Sequence, residues 1–584
     1  MKKIIPIRAG VAILAQVTPM LNDEQTAAIQ DVTGYHAINS GAGTGKSTVL
    51  AARLQRIQQM YPTATVLMLA FTKAAALELQ QRVGNMTGVN ISTLHSLSYH
   101  IIKSSGWKFA VEANAENQES MIKEQIGERS VVTVPEVVKA LHQTKDIPLA
   151  VQRMRNKFLK WLKENHVVTF ATMPMFALSL MKKHTGLRQS WKHRYDFVQL
   201  DEAQDLDPIQ AELIQILTAT TKNLCCCGDT RQEIYGFRGA YGFMNEFSKQ
   251  AINHSLSYNY RCNPAIVDLA NQIMSEYQPL VSVSRVEPIP PKFITTKDET
   301  AEAKFVVDEI EKLHRQGQAY KDTAILYRSS AVSEAVLQEL LSRQVPFHTK
   351  SALLIKYNRK PYREIIRLLK YMSEPKIETL REILPIFFLK KSRVAEVEKT
   401  VAEQQYTLMA ALPMLTAKPY HRAYVEELSE AVDAAKGMSP ARAISHLMKH
   451  GLDKYFGESM TLAVENVIAE LQKYPIIEAF LQQVEKTQEQ LKKIRETSVK
   501  NKDAIQLMTI HSAKGTEYTN VFVIGAHDGC IPSNRADADI AEEKRLLYVA
   551  VTRAKERLYI SYPKYNAETV EENKPSRFLA GLFS

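Results

Sequence analysis

Residues 35–57 read YHAINSGAGTGKSTVLAARLQRI. An apolar approach runs to Ser40, and LAARLQRI at 50–57 continues with helical spacing, so a strand, a loop and a helix are predicted. The eight residues between, Gly41, Ala42, Gly43, Thr44, Gly45, Lys46, Ser47 and Thr48, spell G-x-x-x-x-G-K-[ST], the phosphate-binding loop. Its glycines let the backbone curl until N–H groups face phosphate oxygens at a helix N-terminus. Lys46 is then expected to reach the β- and γ-phosphates, and the Ser47 hydroxyl to ligate Mg²⁺.

Such a loop needs a carboxylate at the end of a second strand. DFVQLDEAQD at 196–205 offers one, an apolar run leading straight into Asp201 and Glu202. Asp201 suits the metal side and Glu202 the general base for water. The pair also fits an acidic helix N-cap, but the upstream phosphate loop favours the catalytic reading. Together the two stretches point to nucleoside-triphosphate hydrolysis.

Further strands are predicted at 66–70, 224–227, 322–327, 504–510, 520–525 and 558–561, alternating with helical patterns. The segments 97–170 and 375–502 are almost purely helical in periodicity. The expected fold is α/β, with two parallel-sheet cores that each carry a helical insertion.

The 584 residues hold 74 Lys+Arg against 63 Asp+Glu, a net charge of +11, which suits a polyanionic partner such as nucleic acid. Five Cys form no C-x-x-C pair, and three sit together at 225–227, so no zinc site or disulfide framework is expected. Pro6 and Arg8 break the apolar start, which argues against a secretory signal. No stretch of eighteen or more apolar residues is present. A reducing cytoplasm fits best.

Seven more segments carry a resemblance. LNDEQTAAI (21–29), LAFTKAAALEL (69–79), STLHSLSYH (92–100), GDTRQEIYGFRGA (228–240), SYNYRCNP (257–264), TIHSAKGTEYTNVFVIG (509–525) and EEKRLLYVAVTRAKERLYI (542–560) follow in order, with ILYRSS at 325–330 opening the second core. The chain resembles superfamily 1 DNA helicases of the UvrD/Rep/PcrA type over nearly its whole length. That resemblance implies two RecA-like cores, 1A (1–96 and 171–258) and 2A (259–374 and 503–584), with insertions 1B (97–170) and 2B (375–502). It implies that Gln25 reads adenine, Tyr260 stacks on it and Glu517 contacts the ribose. Gln232 would sense the γ-phosphate, and Arg261 and Arg553 would act as arginine fingers. Phe71, Tyr235 and Phe237 would stack on single-strand bases, while Thr93, His95 and His511 would hold backbone phosphates. Thr48 stands where well-known members place an Arg against the base.

The function so implied is an ATP- and Mg²⁺-dependent motor moving 3′ to 5′ on single-stranded DNA and unwinding duplex at single-strand/duplex junctions, in repair or replication. A protein-stripping translocase fits the same motifs. So does a DNA-stimulated ATPase subunit serving a partner such as a nuclease in a repair or phage-defence complex. Two basic helical segments, 151–166 and 485–502, read first as solvated faces with an apolar stripe inward and second as duplex contacts.

Overall fold

Apolar runs form strands wherever both faces can be covered, and residues 35–256 supply eight among those described. The computed structural model describes residues 21–126, 132–236, 239–349, 356–358, 360–416, 419–457, 460–500, 502–535, 538–567 and 571–583. The strands are β1 (Tyr35–Ser40), β2 (Val66–Ala70), β3 (Val89–Thr93), β4 (Ala110–Glu112), β5 (Val167–Thr169), β6 (Phe197–Leu200), β7 (Leu224–Gly228) and β8 (Ile252–Leu256). Six of them form one parallel sheet in the order β3-β2-β6-β7-β1-β8. β1 lies inside it, with Ile38 opposite Cys227 on one side and His254 on the other.

A parallel sheet has both faces covered, so its strands read as continuous apolar runs rather than alternating ones. One face packs Ile38, Met68, Cys225 and Cys227 against Val49, Leu50 and Leu54 of the helix Lys46–Met60. The other packs Ala37, Leu69, Val198 and Cys226 against Leu97 and Ile101 of Leu94–Ser104 and Leu213 of Pro208–Thr218. The three consecutive Cys are therefore core side chains on alternating faces, and burial raises each thiol above its usual range.

The chain forms two compact units. One contains the residues up to Thr295, Ile510–Lys564 and those from Glu572 onward; the other contains Thr296–Thr509 and Tyr565–Glu571. The first unit also holds Tyr518–Val523 and Ala554–Pro563, a parallel pair joined through the helix Ile540–Val551. In the second unit Ile505–Thr509 pairs in parallel with Thr323–Tyr327 and with Phe347–His348. The fold class is thus α/β with parallel-sheet cores, as the alternation of strands and helices predicts.

The two segments read from the sequence as insertions, 97–170 and 375–502, are mainly helical. The first also holds the short parallel pair β4–β5, which its helical periodicity does not announce. Its core gathers Ile122, Val137, Leu141, Phe158 and Leu162. Phe158 and Leu162 of the basic helix Leu149–Glu164 point inward, and Arg155 donates to the carbonyls of Ala140 and Gln143. The second insertion runs in helices from Ile377–Ile383 to Ile477–Lys500. Among the described residues, no helix is long and apolar enough to cross a membrane.

Candidate nucleotide and nucleic-acid site

Every residue of the site lies in the first unit. β1 delivers the loop, and the helix Lys46–Met60 begins behind Gly45 with no side-chain cap on its N-terminus. Its first N–H groups are left for a ligand. The loop's carbonyls are held from outside. Ala42 O accepts from Asn259 Nδ2 at 2.7 Å, Gly43 O from the Tyr260 N–H at 2.9 Å, and Thr44 O from Gln25 Nε2 at 3.1 Å. A trans peptide points its N–H opposite its carbonyl. Pinning these oxygens therefore turns the N–H groups of Gly43, Thr44 and Gly45 to the loop's other side. Gly43 (φ 67°) could take no side chain: a Cβ there would lie 2.7 Å from Arg261 Cβ.

Lys46 Nζ sits 3.2 Å from Glu202 Oε1. Burial works against the ammonium, but Glu202, Asp229 and Asp201 outweigh it and hold the charge. β6 ends at Leu200, and Asp201 follows with its N–H bonded to Leu69 O at 2.9 Å. Burial, then the neighbouring negative charge of Glu202, pushes the Asp201 carboxyl up. Glu202 goes the other way, because Lys46 and Lys514 overcome its burial. Burial thus favours a proton on Asp201, whereas the two ammonium groups hold Glu202 as a carboxylate. Glu202 is also a non-glycine residue with positive φ, 53°, backbone strain of the kind that clusters at functional sites.

Gln232 donates from Nε2 to Asp229 Oδ2 at 2.8 Å and accepts at Oε1 from Arg553 Nη2 at 3.1 Å. Arg553 is 1% exposed, and its other bonds among the described residues go to the neutral oxygens of Val549, Thr516 and Thr552. Burial and the nearby Arg261 lower it to about 10. A buried guanidinium without a carboxylate partner is costly, and an anion beside it would relieve that cost. Arg261 donates to Glu517 Oε2 at 2.7 Å, and Glu517 also pairs with Lys555. Gln25 is buried, with its amide engaged by the Asn22 N–H and by Thr44 O. Tyr260 is exposed, its hydroxyl 2.7 Å from Asn22 Nδ2. The Thr48 hydroxyl accepts from Arg82 at 3.1 Å.

The aromatic residues meet separately. Phe71 stacks on Tyr235, ring centroids 5.5 Å apart and 20° between planes. The Tyr235 ring faces that of His511 at 6.3 Å. Thr93 caps the helix Leu94–Ser104, and His95 meets Phe170 edge to face. Phe237 lies outside the described residues.

Several contacts escape motif reading. Lys514 Nζ lies 2.5 Å from Asp205 Oδ2, 2.6 Å from Gln232 O and 5.2 Å from the Tyr235 ring. Gln204 bridges Glu202 and the Asp229 N–H. The Tyr548 hydroxyl accepts from the Ala42 N–H at 3.3 Å. Lys514, Gln204 and Tyr548 all fall inside the quoted motifs, which was the available signal; their partners arise only from folding.

Two family models match the chain. The UvrD/REP helicase N-terminal domain matches 21–149 and 135–251, and the UvrD-like helicase C-terminal domain matches 254–502 and 460–565. YjcD of Bacillus subtilis (strain 168), whose name describes an ATP-dependent DNA helicase, is 28% identical over 96% of this chain and 81% of its own length. A DNA helicase II homolog of Mycoplasma capricolum is 26% identical, covering 96% and 87%. The ATP-dependent DNA helicase PcrA of Staphylococcus aureus (strain Mu50) is 26% identical, covering 96% and 86%. With both halves matched in order, the chain belongs to the UvrD/Rep-like family of ATP-dependent DNA helicases.

Proposed function

We propose that this helicase is a motor that hydrolyses ATP with Mg²⁺, steps 3′ to 5′ along single-stranded DNA and separates the duplex ahead of it, in repair or replication. The observation that carries the reading is Lys514. One ammonium touches Asp205 and the Gln232 carbonyl, stands 4.0 Å from Glu202, and lies over the ring of Tyr235. The hydrolytic residues and the aromatic pair therefore share a side chain, and a change at one is felt at the other. The polarity is the one the family resemblance implies, as is the division into cores 1A and 2A with insertions 1B and 2B.

In this reading the N–H groups of Gly43–Gly45 and Lys46 hold the phosphates. Glu202 takes a proton from the attacking water. Gln232 and Arg553 meet the γ-phosphate, with Arg261 beside them. Tyr260 and Gln25 flank the base, and Glu517 the ribose. Ser47 and Asp201 fit Mg²⁺ as hard oxygen donors. Among the described residues, no group of three or more His, Cys, Asp or Glu side chains is placed to hold a metal ion. Mg²⁺ bound at Ser47 and Asp201 would supply neutralisation of phosphate charge. Phe71 and Tyr235 stack bases, at roughly 1–3 kcal/mol each regardless of sequence, which suits a stepping motor. Thr93, His95 and His511 hold the strand's phosphates.

The test is ATP hydrolysis with and without single-stranded DNA, followed by strand separation on 3′- and 5′-tailed duplexes. Unwinding of the 3′-tailed substrate alone is the expected result. DNA-stimulated hydrolysis without unwinding would favour a translocase or a partner-dependent subunit, and hydrolysis indifferent to DNA would overturn the reading.

A further inference from the structure

Arg231 stands in the middle of the 228–240 motif, and the roles proposed above leave it unused. It is buried against the phosphate loop: Nη2 would lie 2.8 Å from a Cβ on Gly41. Nε donates to Asp229 Oδ1 at 2.9 Å and Nη1 to Gln278 O at 3.2 Å. The guanidinium lies between two rings, 5.8 Å from the centroid of Tyr277 and 5.7 Å from that of Tyr548. Planar, always charged and held on both edges, it has little freedom to turn.

Its partner Asp229 is a hub. Besides Arg231, this carboxylate accepts from Gln232 Nε2 at 2.8 Å and from the Tyr548 hydroxyl at 3.4 Å. An amide such as Gln232 can present either its oxygen or its NH₂ group on a given side. The bond to Asp229 decides this, because a carboxylate accepts and cannot donate. The NH₂ group must face Asp229, so Oε1 faces Arg553. Asp229 also brings a negative charge near Lys46, where phosphates would arrive.

We propose that Arg231 is a positioning residue for ATP hydrolysis: it holds Asp229, which sets the Gln232 amide with its oxygen toward Arg553. This rests on the roles given above to Gln232 and Arg553. A residue acting through Gln232 affects turnover more than nucleotide capture, and its effect vanishes once Gln232 is gone.

The experiment is steady-state ATPase of the full chain on single-stranded DNA for Arg231→Met, Arg231→Lys, Gln232→Ala and the Arg231→Met/Gln232→Ala double variant. Arg231→Met is expected to lower kcat on the order of 10- to 100-fold, with KM for ATP changing less than about threefold. Arg231→Lys, which keeps the charge and loses the fork, is expected to fall between Met and wild type. In the Gln232→Ala background Arg231→Met should add less than about twofold. Wild-type kcat in Arg231→Met, a change confined to KM, or full additivity with Gln232→Ala would overturn the proposal. If Arg231→Met does not fold, a wild-type kcat in Arg231→Lys decides against the fork. Full hydrolysis in Lys46→Ala would instead overturn the site reading beneath it.

Discussion

At Lys46 burial and charge pull in opposite directions, and three carboxylates settle the matter. Lys46→Ala removes the cation and leaves Glu202 facing an empty loop, so ATPase should fall to background. Single-stranded DNA binding, read by fluorescence anisotropy, should persist because Phe71 and Tyr235 are untouched. Asp205 makes a different kind of prediction. Burial, its largest influence, lifts its carboxyl to about 7 although Lys514 lies beside it, and its Oδ1 has no hydrogen-bond partner among the described residues. The folded protein then keeps a proton that the unfolded chain loses near 3.8. Stability carried at this residue therefore falls as pH rises from about 4 to about 7. Asp205→Asn should lack that component, so thermal melts of the nucleotide-free variant should drop less between pH 5 and pH 7.5 than those of the parent. Lys46, Asp201 and Glu202 were legible because a phosphate loop and a strand-end acid pair are local patterns. Asp229, Gln204 and Lys514 were not, because their roles depend on partners far away in the chain.

Elements were legible where their pattern is local and apolar. VLMLA at 66–70 and LCCC at 224–227 become β2 and β7 because both faces of a parallel sheet are covered. β3 and β8, VNIST and INHSL, are more polar and lie at the two edges of the sheet, where less burial is demanded. The helix Lys46–Met60 hides a device that no motif shows. Arg53, 1% exposed, donates to the carbonyls of Ala28 and Asp31 at the end of the helix Asp23–Gln30, which carries Gln25. A cation there satisfies C-terminal carbonyls and suits the helix dipole. Arg53→Ala leaves those oxygens without their donor and opens a cavity, for a cost of roughly 2–4 kcal/mol. The variant should unfold at lower urea concentration, and Arg53→Met, which refills the space, should recover part of the loss.

For the whole molecule, net charge +11 predicts that DNA affinity is largely counterion release. A single strand should show a log–log salt slope that steepens by roughly 0.7 for each phosphate that a Lys or Arg neutralises. A flat response in titrations between 50 and 200 mM salt would show that the positive charge takes no part in binding. The pinning of the phosphate loop has a consequence at this scale too. Ordering a residue's backbone costs roughly 1–2 kcal/mol, so three loop residues left free would take about 3–6 kcal/mol out of every nucleotide-binding event. Here Gln25, Asn259 and the Tyr260 N–H hold the loop through hydrogen bonds supplied by the chain itself. That entropy is lost once, when the chain folds, and each turn of an ATP cycle can bind and release nucleotide without melting its receptor.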